Sequence, residues 1–209
     1  GHPAGRGTQE PPEVLLALPA AAADGAPGAA GAPGGSLPPL LSHVVRLGIP
    51  TRHGIAEIEV RPYSVPLHEV IPGLAPQPHR IGIALMNPLG RGQIVGVGGP
   101  AGGAAGSRLR IDLADDPRDI EALAVGALMV AETVGVATPA TPLLSTSQHL
   151  TGSAAIGEVV DGSGRVLGVG GLRVADASVF PSIPRRGPYY SVLAVAEDLA
   201  SRMAVERPW

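Results

Sequence analysis

The chain contains no cysteine, so disulfides, thiolate metal centres and thiol nucleophiles are all excluded, and the redox compartment stays open, a reducing cytoplasm being compatible. It has no lysine either; all 15 basic residues are arginine, and against 18 acidic residues they give a formal charge of -3. Scattered arginines on a slightly acidic chain make no stripe for neutralising phosphates, and one Trp, three Tyr and one Phe are too few for a base-stacking platform. Nucleic acid is therefore not an expected partner. The chain also lacks a long apolar run: Val14 to Ala23 is short, follows Glu10 and Glu13, and is followed by Pro and Gly, so no membrane segment is expected.

What is abundant is small: 30 Gly, 23 Pro and many Ala and Val. Residues 1–36 are dominated by this composition and are expected to form a disordered Ala/Gly/Pro-rich segment, because they offer little side-chain area to offset the entropy of ordering. The first residue is Gly and not Met, which points to processing or truncation.

From Leu37 the pattern changes. In Ile55–Val60, Ile58 and Val60 face one way and Glu57 and Glu59 the other, the period of a half-buried strand. Strands are also predicted over Arg80–Met86, Gly92–Val97 and Ser107–Leu113, the last with Leu109, Ile111 and Leu113 alternating against Arg108, Arg110 and Asp112. Asp115–Val134 switches to helical spacing: Asp115 or Asp116 can cap, Pro117 fits the first turn, and Ile120, Leu123, Ala127, Leu128, Ala131 and Val134 lie near one face. Two apolar runs flank Asp161-Gly162-Ser163-Gly164, a hairpin signal; Gly171–Ala175 reads as a strand and Tyr190–Met203 as an Ala-rich helix. The expected class is α+β, an antiparallel sheet with packed helices.

Ile94–Gly106 imitates the phosphate-cradling turn of dinucleotide folds. That turn needs a helix directly after it, whereas glycines and then the strand-like Ser107–Leu113 follow, so a glycine-rich loop within a sheet is the better reading. His149 lies between polar residues and two glycines, off any apolar periodic face; its imidazole can exchange a proton near neutrality and so act as a base. His43, His53, His68 and His79 lack the close pairing of a metal site, and no metal is expected. Arg185 and Arg186 form a basic pair in a Pro/Gly loop, read as a solvated patch.

The ordered series His149, Gly152-Ser153, Gly157, the hairpin, GLRV, Asp176-Ala177-Ser178, the SIP loop and the terminal helix resembles the closing segment of glucose-methanol-choline (GMC) flavoprotein oxidoreductases. Ala84–Ile94 resembles the P-x-x-R-G hairpin of that family's substrate domain, so the resemblance runs from about Leu37 to Met203. It implies an organisation of 1–36 as the disordered segment, 37–148 as the substrate-binding sheet and helix, and 149–209 as the C-terminal segment, with the Rossmann-type FAD-binding motif missing. It implies FAD as cofactor, supplied by a missing portion or a separate FAD-binding chain, and oxidation of a small-molecule alcohol to a carbonyl. His149 would be the catalytic base, and Asp176, Ala177, Gly187 and Pro188 would bind the cofactor. Many members carry Asn or a second His where this chain has Gly187, so Tyr189 or Tyr190, or the backbone and Arg186, would have to substitute, or activity is lost. The Arg186-Gly187-Pro188 element resembles the mycofactocin-associated subgroup and would imply an electron acceptor other than oxygen. The alternative to an incomplete enzyme is a non-catalytic fragment or binding module from a split or truncated gene.

Overall fold

A computed structural model describes residues 4–19, 39–97, 108–113, 115–137 and 144–206. The chain divides into two compact units, Pro12–Met86 with Pro117–Ser147, and Gly1–Pro11 with Asn87–Asp116 and Gln148–Trp209.

The first unit is a sheet with one helix on it. Strands β2 (Pro12–Ala17), β3 (Val45–Thr51), β4 (Gly54–Pro62), β5 (Arg80–Leu85) and β8 (Leu144–Thr146) pair antiparallel in the order β3-β4-β5-β2-β8. The register puts Val14, Ile83 and Val60 in one row and Leu85 and Ile58 in another, so a single face collects the β-branched and Leu side chains. Helix α1 (Pro117–Val134) covers that face, and Ala122, Leu123, Ala127, Val130 and Ala131 close the core. Each fully buried Leu, Ile or Val there stabilises the fold by about 1.5–3 kcal/mol relative to exposure.

The predicted helix exists, but its buried face is turned. Leu123, Ala127 and Ala131 point inward as expected, whereas Ile120, Leu128 and Val134 are exposed and Ala122, Gly126 and Val130 take their place. The reason is steric: a Cβ on Gly126 would lie 3.3 Å from Ile58 Cγ1, so the small residues let the helix backbone approach the sheet.

The opposite face of the sheet is polar yet buried. Glu13, Ala84 and Glu59 lie in one row across β2, β5 and β4, and Arg61 lies beside them opposite Gly82. Arg61 Nε donates to Glu59 Oε1 at 2.9 Å, and its Nη1 lies 3.6 Å from Glu13 Oε2. Tyr63 Oη donates to Glu13 Oε1 at 3.0 Å. The alternation read in Ile55–Val60 is correct, but Glu59 is only 6% exposed and is stabilised by these pairings, not by water.

The second unit has a three-stranded antiparallel sheet in the order β1-β6-β7, from β1 (Arg6–Thr8), β6 (Gly92–Val97) and β7 (Arg108–Asp112). The glycine-rich stretch from Ile94 thus begins inside a sheet strand, and its residues 98–107 lie outside the described residues. Residues 148–188 are mostly turns stitched by isolated bridges, and α2 (Tyr189–Glu206) follows Pro188, whose carbonyl accepts the Val192 N–H at 2.8 Å.

The expectation of a disordered segment over 1–36 is corrected for its first half: β1 and β2 lie in it, and β2 sits between β5 and β8 with Val14 and Leu16 in the core. An interior strand buried on both faces needs no alternation, so Val14–Leu16 carries no period-2 signal. Residues 20–38 lie outside the described residues.

Candidate active site

The loop-rich second unit contains every site residue singled out from the sequence: His149, Asp176, Ala177, Gly187 and Pro188. What fixes His149 is a web of backbone hydrogen bonds on either side. Residue Gln148, just before it, has φ 58, the left-handed region that a non-glycine residue adopts only when its surroundings hold it there. The His149 N–H donates to Glu10 Oε1 at 2.9 Å. Two residues on, Thr151 and Gln9 exchange both backbone hydrogen bonds, at 3.0 and 2.9 Å. Gly152 has φ +83, and a Cβ there would lie 2.9 Å from the Gly7 carbonyl oxygen, so the histidine segment can run alongside the N-terminal strand only with glycine at that place. The imidazole is half-buried, with Nδ1 enclosed.

Beyond Gly152 the segment crosses to the Asp176 turn. The N–H groups of Ala154 and Ile156 donate to the carbonyls of Ser178 and Val179, each at 2.9 Å. Asp176 caps the short 3₁₀ turn Ala177–Val179, its carboxylate accepting from the Ser178 N–H at 2.8 Å and from the Ser178 hydroxyl. A cap of this kind leaves the remaining carboxylate lone pairs at an exposed surface. The loop then passes Ile183, whose N–H donates to Gln9 Oε1 at 3.1 Å, and reaches exposed Gly187, where a Cβ would meet nothing within 4 Å.

The predicted hairpin is present as a tight turn. Asp161 Oδ1 accepts the N–H groups of Ser163 and Arg165 at 2.8 and 2.9 Å. These bonds, that from Arg165 foremost, hold the Asp161 carboxyl below its ordinary value, with the Arg165 and Arg173 charges adding to the effect. Arg165 and Arg173 both pair with Glu206 at the end of α2. Val159, Val160 and Val179 form a small core beneath the turn.

Three residues not singled out as site residues hold the site together. Gln9 is 5% exposed and its Nε2 donates to the Pro88 carbonyl at 2.9 Å; Glu10 holds the His149 backbone; Arg91 Nη1 bridges the carbonyls of Gly7 at 3.2 Å and Pro181 at 2.9 Å. A polar pair in a Pro-rich neighbourhood gave no local signal, since its partners lie far along the chain. Among the described residues no three His, Asp or Glu side chains are grouped to hold a metal ion, and no helix is long and apolar enough to cross a membrane.

Residues 101–196 match the family model described as GMC oxidoreductase. An uncharacterized GMC-type oxidoreductase of Rhodococcus erythropolis is 33% identical over 168 residues, which is 70% of this chain and 34% of that protein. The fold is shared with a crystal structure of pyridoxine 4-oxidase from Mesorbium loti, at TM-score 0.68 and 22% identity, over 96% of this chain and 43% of that one. It is shared also with a formate oxidase variant of Aspergillus oryzae, at TM-score 0.72 and 18% identity, over 99% of this chain and 48% of that one. The chain thus spans about a third of the curated relative and under half of the solved ones. The antiparallel sheets and the helices are accordingly those of a GMC oxidoreductase C-terminal domain, whose family match spans residues 101–196 of this chain.

Proposed function

We propose that this chain supplies the substrate-side wall and the proton acceptor of an FAD-dependent enzyme that oxidises an alcohol to a carbonyl compound. The observation that carries the reading is the held His149: a half-buried imidazole on a backbone tied to Glu10, with the next residues tied to Gln9 and Gly7. FAD, provided by a separate chain or by a further segment of the same protein, supplies the hydride acceptor. His149 would take the hydroxyl proton as the hydride leaves the carbinol carbon, since a neutral imidazole is a competent base near neutral pH. The anchoring supports this reading because a fixed backbone limits where the imidazole can lie, and positioning is the part of catalysis a protein contributes by geometry.

The residues present fit the cofactor in kind. Asp176 offers an exposed carboxylate at the start of a turn, Ala177 opens that turn, and Gly187 and Pro188 form an open loop where a flat or charged group can approach the backbone. Both structural neighbours are named as oxidases, which agrees with redox chemistry and leaves the substrate open.

The test is titration of the chain with FAD by flavin fluorescence quenching, followed by turnover of an alcohol panel by the FAD-loaded protein. For His149→Ala, flavin affinity should be retained and kcat should fall by about 10²- to 10⁴-fold, the usual contribution of a general base. A His149→Ala enzyme as fast as the parent would sink the reading. One observation favours a second reading, a non-catalytic binding module: Gly187 has no side chain to share the substrate oxygen with His149. Saturable FAD binding without turnover on any alcohol would select it.

A further inference from the structure

Gln9 and Glu10 lie where the chain leaves β1 for β2, and both side chains are turned to the surroundings of His149. Gln9 works as a three-way clamp. Its backbone pairs with Thr151, its Nε2 donates to the Pro88 carbonyl, and its Oε1 accepts the N–H of Ile183 in the loop that leads to Gly187. Glu10 receives the N–H of His149 itself at 2.9 Å. The N–H groups of Thr151, Ala154 and Ile156, in the same segment, go to backbone carbonyls.

A hydrogen bond to a carboxylate is roughly twice as strong as one to a neutral carbonyl, and Glu10 is buried, so solvent screens it little. It acts one residue after the left-handed Gln148, a conformation that L residues other than glycine rarely adopt and that relaxes if nothing opposes it. Relaxation at Gln148 would swing the root of the His149 side chain. A displacement of about 1 Å at a reacting group is enough to lose about a hundredfold in rate.

We infer that Gln9 and Glu10 are positioning residues for the reaction, Glu10 fixing the backbone that carries His149 and Gln9 fixing the Ile183 loop against the same segment. The inference rests on the reading of His149 as the base.

Two measurements separate the inference from that reading. Amide hydrogen exchange on the full chain needs no flavin: in Glu10→Ala the His149 amide should exchange at least about ten-fold faster, while Glu10→Gln, which keeps a carbonyl acceptor, should restore protection. In the FAD-loaded protein Glu10→Ala should lower kcat about ten-fold or more with KM within about two-fold, and Glu10→Gln should recover most of it. Gln9→Met keeps the side-chain length and removes both amide bonds; it should release the Ile183 amide, and it keeps the test open if Glu10→Ala does not fold. Unchanged exchange at His149 in Glu10→Ala overturns the inference. So does faster exchange with unchanged kcat in a protein that His149→Ala inactivates, an outcome that leaves the functional reading standing. Full turnover by His149→Ala removes the functional reading and the positioning role with it, whatever the exchange data give.

Discussion

At Gly152 two constraints meet in one residue. Its φ of +83 strains any L side chain, and an added Cβ would press on the Gly7 carbonyl at 2.9 Å. Gly152→Ala should therefore destabilise the chain by about 2 kcal/mol or more, read as a lowered denaturant midpoint at constant slope; a loss within experimental error would mean that the histidine segment does not run beside the N-terminal strand. Glu13 gives a second prediction, in pH. Burial pushes its carboxyl up from the ordinary value of 4.5, outweighing Arg61 and the Tyr63 hydrogen bond, while burial, followed by the Glu13 charge, pushes Tyr63 up to about 12. A raised carboxyl binds its proton more tightly in the native state than in the unfolded one. Its contribution is thus fully present below the unfolded value and is lost as pH rises through the folded one. Glu13→Gln keeps an acceptor for Tyr63 and removes the titration. The Tm of the variant should gain on that of the parent as pH is raised from about 4 to about 8. A Tm difference independent of pH would show that Glu13 does not titrate in that window.

Helix α1 tests how an element chooses its face. Leu123 is 2% exposed against the sheet, whereas Leu128, on the face that periodicity alone favours, is 48% exposed. Leu123→Ala should cost about 2–5 kcal/mol through the cavity it leaves, and Leu128→Ala less than about 0.5 kcal/mol. Equal losses would return the helix to the orientation expected from its spacing. The comparison explains which features were legible. Pro117 at the helix start, the alternation in Ile58–Val60 and Arg108–Asp112 and the Asp161–Gly164 turn are set by local chemistry, and the structure has them close to the expected places. The helix face is not local: with apolar residues around most of its circumference, Gly126 against Ile58 decides it. β2 was illegible for a related reason, being a short buried run between prolines whose strand character comes from β5 and β8. At the site, the glycine-rich context marks His149 as a candidate, while Glu10 accepts its N–H from 139 residues away and leaves no mark on the local pattern.

The two units are stabilised differently, and the difference bears on how the chain behaves in solution. The sheet unit closes an apolar core from four of its five strands and α1. Among its described residues the loop-rich unit has a small cluster around Val159, Val160 and Val179 and relies also on backbone hydrogen bonds, the Gln9 clamp and the ion pairs of Glu206. It also displays large apolar side chains to solvent: Leu109, 77% exposed, and Ile111 on β7, Leu167, Val169 and Leu172 in the turn beyond the hairpin, and Tyr189 and Tyr190 at the start of α2. Exposed apolar side chains on neighbouring segments offer a surface for association, and each fully covered Leu would gain about 1.5–3 kcal/mol from a partner. The isolated chain should therefore self-associate, with a sedimentation coefficient that rises with concentration at about 1–100 µM. Leu109→Ser combined with Leu172→Ser removes two of the most exposed groups without touching either core, so it should shift the population towards monomer and leave the unfolding midpoint nearly unchanged. If the parent chain already sediments as one monomeric species over that range, its exposed leucines are too dispersed to act as a patch, and association must be sought instead in the edges of its sheets.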